Sequence, residues 1–369
     1  MFNKAMEIFE TPAAFYEEAK LMLTEAEIRY IVLAGKEAHT QAEIRKLIAD
    51  NGLSDDPESF LRSMYSRAVV EKVVPDYKSP MRALFGNPDA KIPFEEIKRD
   101  GVEEELDRAA LYRVTNFYTR YPYFAQFELE KYAPIPQEKK DAMNEWDLQV
   151  YMDMYKDVIR SKMNGYEEKM HQNDWVNLEE AMAILEKNKD FIYIIPCNCK
   201  SMDYPRYQGR LEVCVRFYAG INTEYDRGHG RRITLEEAKE LVRQFNREGL
   251  MQCGEGYSMC NCDGQCCYPV KVAKRMGAER VFPRSNWKTI WNREKCINCG
   301  KCAKICNFQA FAKGEDGKIR FDESKCFGCT ICSSNCPVGA ITLEKIAHHF
   351  KNYEGDESGL VRGNENLLF

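Results

Sequence analysis

The placement of 16 cysteines constrains this 369-residue chain more than any other feature of its sequence. Residues 1–196 contain no cysteine, eight lie between Cys197 and Cys267, and eight more lie between Cys296 and Cys336. The chain is too long and too lysine-rich for a small disulfide-stapled secreted domain, and reduced thiols at this density indicate metal binding, with redox chemistry for a few of them. The sequence therefore predicts a metal-free first half followed by two cysteine-bearing segments.

The eight C-terminal cysteines repeat one spacing twice. Cys-x2-Cys-x2-Cys-x3-Cys runs from Cys296 to Cys306 and again from Cys326 to Cys336, which Pro337 follows. This spacing is typical of bacterial ferredoxins with two [4Fe–4S] clusters, in which the fourth cysteine of each run binds the other cluster. We therefore predict two crossed ligand sets: Cys296, Cys299, Cys302 and Cys336 for cluster 1, and Cys326, Cys329, Cys332 and Cys306 for cluster 2. The alternative, a pair of zinc ribbons, fits the interleaved spacing poorly. Asn307 departs from these ferredoxins, which usually have proline there.

The eight middle cysteines are less regular, and three interpretations of them remain open. The first is a third [4Fe–4S] cluster, held by four of six candidates: Cys197, Cys199, Cys214, Cys260, Cys262 and Cys266. The second is a structural zinc ion with four cysteine ligands. The third is a site of exchangeable thiols, in which Cys266 and Cys267, or Cys253, switch between dithiol and disulfide. Cys266 and Cys267 are thus candidate catalytic residues, and an open iron corner there would accept a substrate.

The order of these motifs resembles an iron–sulfur protein family of anaerobic bacteria and archaea. The shared features are Pro196-Cys-x-Cys-Lys200, the helix start Thr234–Ala238, the Cys-Asn-Cys-x3-Cys-Cys run at Cys260–Cys267, and the C-terminal ferredoxin module. The resemblance is good from about Tyr193 to Leu343 and loose before that. It implies electron carriers or oxidoreductases and names no substrate.

The first 75 residues have the pattern of three short helices and a strand. Thr24 with Glu27 and Thr40 with Glu43 predict capping boxes, and Asp56-Pro57 predicts a third helix start. The strand-like residues 69–74 follow. This order is that of a winged helix, which raises the possibility of a redox-sensing DNA-binding regulator. Charge argues against nucleic acid, since residues 1–75 hold 9 Lys and Arg against 13 Asp and Glu.

Four further predictions concern the rest of the chain. His229, in a basic loop, is a candidate proton donor or anion clamp, against the simpler interpretation of a solvated loop. The basic stretch Lys271–Lys288 is either a solvated helix face or a dock for an acidic redox partner. The aromatic residues of 106–189 are core or a pocket wall, with Pro122, Pro134 and Pro136 breaking the helices. Without a signal-peptide pattern or a long apolar run, we expect a cytoplasmic protein.

Together these observations predict an α+β protein of five segments. They are a winged-helix-like unit (1–80), a helical aromatic-rich region (81–190), a middle cysteine-bearing α/β region (191–290), a 2[4Fe–4S] ferredoxin module (291–345) and a tail (346–369). The expected function is relay of single low-potential electrons to or from a partner oxidoreductase. A reductase with its own Fe–S or thiol site at the middle cysteines is the alternative. No dinucleotide or phosphate-binding motif occurs.

Overall fold

A computed structural model describes residues 1–74, 109–166, 174–254 and 258–351. Within these residues, the N-terminal unit contains five α-helices and a two-stranded antiparallel sheet. They are α1 (Phe2–Ile8), α2 (Tyr16–Met22), α3 (Glu25–Ala34), α4 (Gln41–Asp50), α5 (Pro57–Ser66), β1 (Val70–Val73) and β2 (Leu111–Val114). The residues that connect β1 to β2 lie outside the described ranges, and so does the predicted domain boundary at residue 80. The winged-helix grouping therefore stays a prediction.

The helix starts predicted for this unit are confirmed. Thr24 and Thr40 each accept a hydrogen bond from the backbone N–H three residues on, and Glu27 and Glu43 return the bond to the cap. Asp56 caps α5, which has proline at its first position. These bonds satisfy backbone donors that a helix leaves free at its N-terminus, which is why the pattern is readable in sequence.

The helical region that follows is α6 (Phe117–Phe127), α7 (Leu129–Tyr132) and α8 (Gln137–Met163). Pro136 precedes α8, as expected of a helix boundary, but the prediction that Pro122 breaks a helix is wrong, because α6 continues through it. Burial explains the difference: Phe117, Tyr121 and Phe124 are fully buried on one face of α6, and this packing outweighs the backbone hydrogen bond that proline removes.

The middle cysteines lie on and around a seven-stranded sheet. Its spatial order is β6 (Arg231–Arg232), β4 (Tyr193–Pro196), β5 (Glu212–Arg216), β8 (Ser258–Cys262), β7 (Met251–Cys253), β3 (Asp174–Trp175) and β9 (Arg284–Ser285). All pairs are antiparallel except β3 with β9. Its helices are α9 (Leu178–Lys187), α10 (Asn198–Met202), α11 (Leu235–Arg247) and α12 (Tyr268–Met276). The Thr234 side chain caps α11, accepting the Glu237 N–H. The Glu237 carboxylate accepts a hydrogen bond from Arg231 and does not complete a capping box with the Thr234 backbone.

The C-terminal module has two similar halves. Strands β10 (Trp287–Trp291) and β13 (Ile341–Lys345) pair antiparallel, as do β11 (Phe311–Lys313) and β12 (Ile319–Phe321). Two short helices, α13 (Lys301–Ile305) and α14 (Ile331–Ser334), each carry the third cysteine of one motif. The predicted tail lies outside the described residues from position 352. Within the described ranges, no helix is both long and apolar enough to span a membrane.

Candidate iron–sulfur sites

The two predicted ferredoxin ligand sets each surround one small cavity. Cys296, Cys299, Cys302 and Cys336 line the first, and Cys306, Cys326, Cys329 and Cys332 line the second; each has a volume of about 20 Å³. Each set joins three cysteines of one motif to the fourth of the other. Four thiols around one small cavity are the donor set that a [4Fe–4S] cluster takes.

Backbone amides point at the sulfur atoms of these sites. The Gly328 N–H donates to Cys326 Sγ at 3.4 Å, and the Ala340 N–H donates to Cys336 Sγ at 3.2 Å. Gly328 has φ +67°, and a Cβ there would collide with the Ser285 side chain, so this close turn requires glycine. Such N–H···S bonds stabilise the charge on the thiolates and raise the reduction potential of the cluster that they hold.

Six middle cysteines come together at a third site. Cys197 interacts with the thiols of Cys199 and Cys214, and Cys260 interacts with those of Cys214 and Cys262. Cys262 continues the path to Cys267. We name these residues the six-thiol site: Cys197, Cys199, Cys214, Cys260, Cys262 and Cys267. All but Cys214 line a cavity of about 240 Å³ between the sheet and helices α6 and α8.

Strand order explains why these distant cysteines meet. Cys214 and Cys260 lie on the neighbouring strands β5 and β8, and Cys197 directly follows β4, which pairs with β5. Hydrogen bonds from Cys199 and Cys214 hold the pKa of the Cys197 thiol well below its ordinary value, and those from Cys214 and Cys262 do the same for Cys260. Grouped thiols are the soft sulfur donors that Fe–S clusters and zinc both select.

Comparison with known proteins assigns the C-terminal module. Residues 290–343 match the model of the 4Fe-4S dicluster domain. Pyruvate synthase subunit PorD of Methanocaldococcus jannaschii is 41% identical over 71 residues, which are 19% of this chain and 77% of that protein. The chain belongs to the 4Fe-4S dicluster ferredoxin family.

Two longer relatives of this dicluster ferredoxin are components of reductases. A selenate reductase component of Mesobacillus selenatarsenatis is 39% identical over 59 residues, 15% of this chain and 20% of that protein. The probable anaerobic dimethyl sulfoxide reductase chain YnfG of Escherichia coli is 28% identical over 127 residues, 29% of this chain and 62% of that protein. The resemblance found in the sequence, to iron–sulfur proteins with a C-terminal dicluster module, is thereby confirmed.

A buried ion pair joins the two cysteine motifs of the six-thiol site. The Lys200 ammonium group donates a hydrogen bond to the Asp263 carboxylate, and the lysine is only 1% exposed. Lys200 follows Cys199 in the chain, and Asp263 follows Cys262. Asp263 also accepts the backbone N–H groups of Gln265 and Cys266, at 2.6 and 2.7 Å. Burial opposes the charge on Lys200, but the Cys197 thiolate and Asp263 outweigh it and raise its pKa. Lys200 therefore places a permanent positive charge beside the thiolates.

Cys266 and Cys253 are not among the cysteines that line the cavity. Cys266 was a predicted ligand, but its Sγ faces the Asp263 carboxylate at 3.3 Å, and burial with that negative charge raises its pKa. The adjacent Cys267 occupies the position in the site instead. Cys253 pairs with Cys260 across β7 and β8 but does not line the cavity. Spacing alone did not show which of two adjacent thiols faces the site, since that depends on the start of α12 at Tyr268.

His229, the other catalytic candidate, lies away from the cavity. Its Nε2 is 2.7 Å from the Ser66 carbonyl oxygen, and its ring stacks on Phe127 at 3.8 Å between centroids. Burial lowers its pKa. The neighbouring Arg227 donates to the carbonyl oxygens of Tyr65 and Val70. The loop thus fastens the N-terminal unit to the sheet.

The basic stretch Lys271–Lys288 does not form a free positive face. Arg275 pairs with Glu145, Arg284 with Asp174 and Lys288 with Glu323. Lys274 and Arg280 donate to the carbonyl oxygens of Gly264 and Cys326. These internal bonds use the charges that a partner dock would need.

Asn307 connects the dicluster module to the six-thiol site. It follows Cys306, and its Oδ1 accepts the Gly264 N–H at 2.9 Å while its Nδ2 donates to the Gly249 carbonyl at 2.8 Å. A Cβ on Gly264 would come within 2.8 Å of Asn307, so glycine allows this close approach. The proline usual at position 307 has no amide to make these bonds. The departure is visible in the sequence, but its purpose depends on contacts with Gly249 and Gly264, which are distant along the chain.

Asp147, which sequence analysis missed, is a buried carboxyl group in the cavity wall. It is 2% exposed, and its Oδ1 has no hydrogen-bond partner among the described residues. Burial raises the pKa of Asp147 to about 8. A single aspartate inside a 27-residue helix gives no pattern by which sequence could distinguish it from a surface residue.

A pH titration of stability checks this pKa. Native Asp147 keeps its proton up to about pH 8, whereas the unfolded chain loses it near pH 4. Between these values the native state binds the extra proton, so the contribution of Asp147 to the free energy of unfolding falls by up to about 1.4 kcal/mol per pH unit. We expect Asp147→Asn to gain stability relative to the wild type as pH rises from about 5 to about 8. A difference that is independent of pH, measured by anaerobic urea denaturation of both proteins, would contradict the raised pKa.

Proposed function

We propose that this protein relays single low-potential electrons between a partner oxidoreductase and the six-thiol site, through the two cysteine sets of its dicluster module. When bound, the [4Fe–4S] clusters supply one-electron chemistry. The observation that carries the proposal is the Asn307 bridge, because it places the Cys306 end of the cluster 2 set against the Cys260–Cys267 segment. An electron carrier with no internal target needs no such connection.

The packing of the two sites supports an inward direction. Cys329, Ile331 and Phe327 of the cluster 2 region share one hydrophobic core with Cys260, Cys262 and Cys267. In the cluster 1 region, by contrast, Cys299 is exposed and Ile297 is 61% exposed. The cluster 1 set therefore faces outward, and the cluster 2 set faces the interior.

We further propose that the six-thiol site holds a third iron–sulfur cluster. Six thiols exceed the four that a cubane or a structural zinc ion needs. Among the described residues, no three His, Cys, Asp or Glu side chains are grouped closely enough to bind a single metal ion, either at the six-thiol site or at the two ferredoxin sites. The ligands of a cluster surround four iron atoms instead of one, so the spacing of these thiols does not argue against a cluster. Lys200 and Arg216 offset part of the negative charge that four thiolates and iron would bring.

The partner is expected to dock on the cluster 1 face. Exposed Ile297 offers an apolar contact, and the exposed Lys295 and Lys301 beside it favour a partner with an acidic rim. We therefore propose the dicluster module, and not Lys271–Lys288, as the dock for an acidic partner.

Ile297→Asp tests this face. The added charge repels an acidic partner and removes the apolar contact, so we expect the second-order rate of reduction by a dithionite-reduced acidic ferredoxin to fall about tenfold or more. Iron content is expected to stay unchanged. Leu33→Asp, on an exposed leucine of α3, is the matched control. Equal rates for both variants would show that electrons enter elsewhere.

A further inference from the structure

The cavity at the six-thiol site is larger than one cluster needs. The cluster 1 and cluster 2 cavities give an internal standard, because each is surrounded by the ligands of one [4Fe–4S] cluster and has a volume of about 20 Å³. The cavity at the six-thiol site measures about 240 Å³. An apolar cavity of about 150 Å³ accommodates a benzene-sized molecule. A cluster held by the thiols therefore leaves room for a small second molecule.

The walls of this extra space are mainly aromatic. Helices α6, α8 and α12, strand β4 and the segment after β5 contribute seven tyrosines, which are Tyr118, Tyr123, Tyr151, Tyr155, Tyr193, Tyr218 and Tyr268. Met154 and Pro122 add further apolar surface. Flat rings and a thioether favour a flat, largely apolar molecule.

The charged groups of the wall largely cancel one another. Lys200 pairs with Asp263, and Arg216 pairs with Glu224 at 3.2 Å, although Arg216 Nε is a buried donor without a hydrogen-bond partner among the described residues. Asp147 is the remaining acidic or basic residue among those that line the cavity. A charged molecule would therefore lose its hydration without gaining a free counter-charge, which disfavours it.

Asp147 supplies one specific polar contact. Its Oδ1 lies in the wall without a partner among the described residues, although buried polar atoms are nearly always hydrogen-bonded. The Tyr268 hydroxyl donates to Asn144 Oδ1 and also makes a side-chain hydrogen bond with the Asp147 carboxyl group. The titratable groups that face Asp147 are tyrosines 118, 121, 132 and 268, which are neutral at physiological pH. A protonated carboxyl in these surroundings donates a hydrogen bond.

We propose that this cavity binds a small uncharged organic molecule, about the size of one aromatic ring, whose hydrogen-bond acceptor contacts Asp147 and whose flat face packs on the tyrosines. The inference deepens the proposed function and rests on it in one respect, because the molecule would lie beside the third cluster. The six thiols and the aromatic wall thus belong to one site, with the thiols holding iron and the wall selecting the ligand.

Equilibrium dialysis of the anaerobically purified full-length protein tests the inference with three probes. Acetophenone is uncharged and has a carbonyl acceptor, ethylbenzene has the same shape without the acceptor, and benzoate is an anion. We expect acetophenone to bind about tenfold more tightly than ethylbenzene, which is the usual effect of one hydrogen bond, and benzoate to bind more weakly than either. Asp147→Leu is expected to abolish the preference for acetophenone, and Met154→Trp to block both neutral probes by filling the cavity.

The iron content of each sample separates this inference from the third cluster. Selective binding of acetophenone with about eight iron atoms per chain would support the ligand site and contradict the third cluster. Failure of all three probes to bind a protein with about twelve iron atoms would overturn the ligand site alone. Equal binding of benzoate and acetophenone, or an unchanged preference in Asp147→Leu with normal iron content, would also overturn it.

Discussion

A variant with Cys197, Cys214 and Cys260 changed to alanine is expected to contain about eight iron atoms per chain, against about twelve in the wild type. These three thiols are the centre of the contact path, and their loss leaves three of six, fewer than the four that a cubane takes. The dicluster module has separate ligands and is expected to keep its eight. Iron and acid-labile sulfide analysis of anaerobically purified protein measures the change.

The matched control replaces the two middle cysteines that are not among the six proposed ligands. Cys253→Ala combined with Cys266→Ala removes two buried thiols from the same region and leaves all six thiols of the six-thiol site in place. This double variant is expected to retain about twelve iron atoms. If it loses as much iron as the triple variant, the ligand set is wrong. A wild-type protein with about four or fewer iron atoms and with bound zinc would contradict the iron–sulfur account as a whole.

The ferredoxin module was readable from sequence because its ligand spacing is local. Eight cysteines in two repeats define the two predicted ligand sets, and the helix caps of the N-terminal unit are similarly encoded within four residues. The six-thiol site depends on which strands are neighbours. The order β4, β5, β8 brings Cys197, Cys214 and Cys260 together from positions up to 63 residues apart. Lys200 and Asp263, which form the buried ion pair, are also 63 residues apart.

Lys200→Met is expected to lower the free energy of unfolding by about 3–5 kcal/mol. The substitution leaves the Asp263 carboxylate in the interior without its positive partner, and Asp263 holds the backbone of Gln265 and Cys266 in place. Anaerobic chemical denaturation, followed by far-UV circular dichroism, measures the loss. The middle iron is expected to be lost at lower denaturant concentration than the iron of the dicluster module.

A second substitution shows whether the unpaired charge causes this loss. Asp263→Asn in the Lys200→Met background removes the negative charge and retains an oxygen that accepts the two N–H bonds. We expect the double variant to be more stable than Lys200→Met alone. If the double variant is less stable than Lys200→Met alone, the unpaired Asp263 charge is not the cause of the destabilisation, because removing that charge would then not restore stability.

The wall of the cavity illustrates the limit of sequence analysis here. The aromatic residues of α6 and α8 were visible, and the alternatives of core and pocket wall both turn out to apply: Tyr121 and Phe124 are core, whereas Tyr118, Tyr151 and Tyr155 line the cavity. Their division follows from where the sheet packs on these helices. Asn307 was noticed as a departure from the ferredoxin pattern, but its role depends on Gly264, 43 residues earlier.

Rapid-freeze EPR after mixing with dithionite tests whether the three sites act as one relay. A relay predicts three one-electron signals per chain, with the signal lost in the Cys197, Cys214 and Cys260 triple variant appearing last. It also predicts that Asn307→Pro, which removes the bridge to Gly264, slows that last signal about tenfold or more while the first two keep their rates. Only two signals in the wild type, or a third signal that appears first and is unaffected by Asn307→Pro, would contradict the relay.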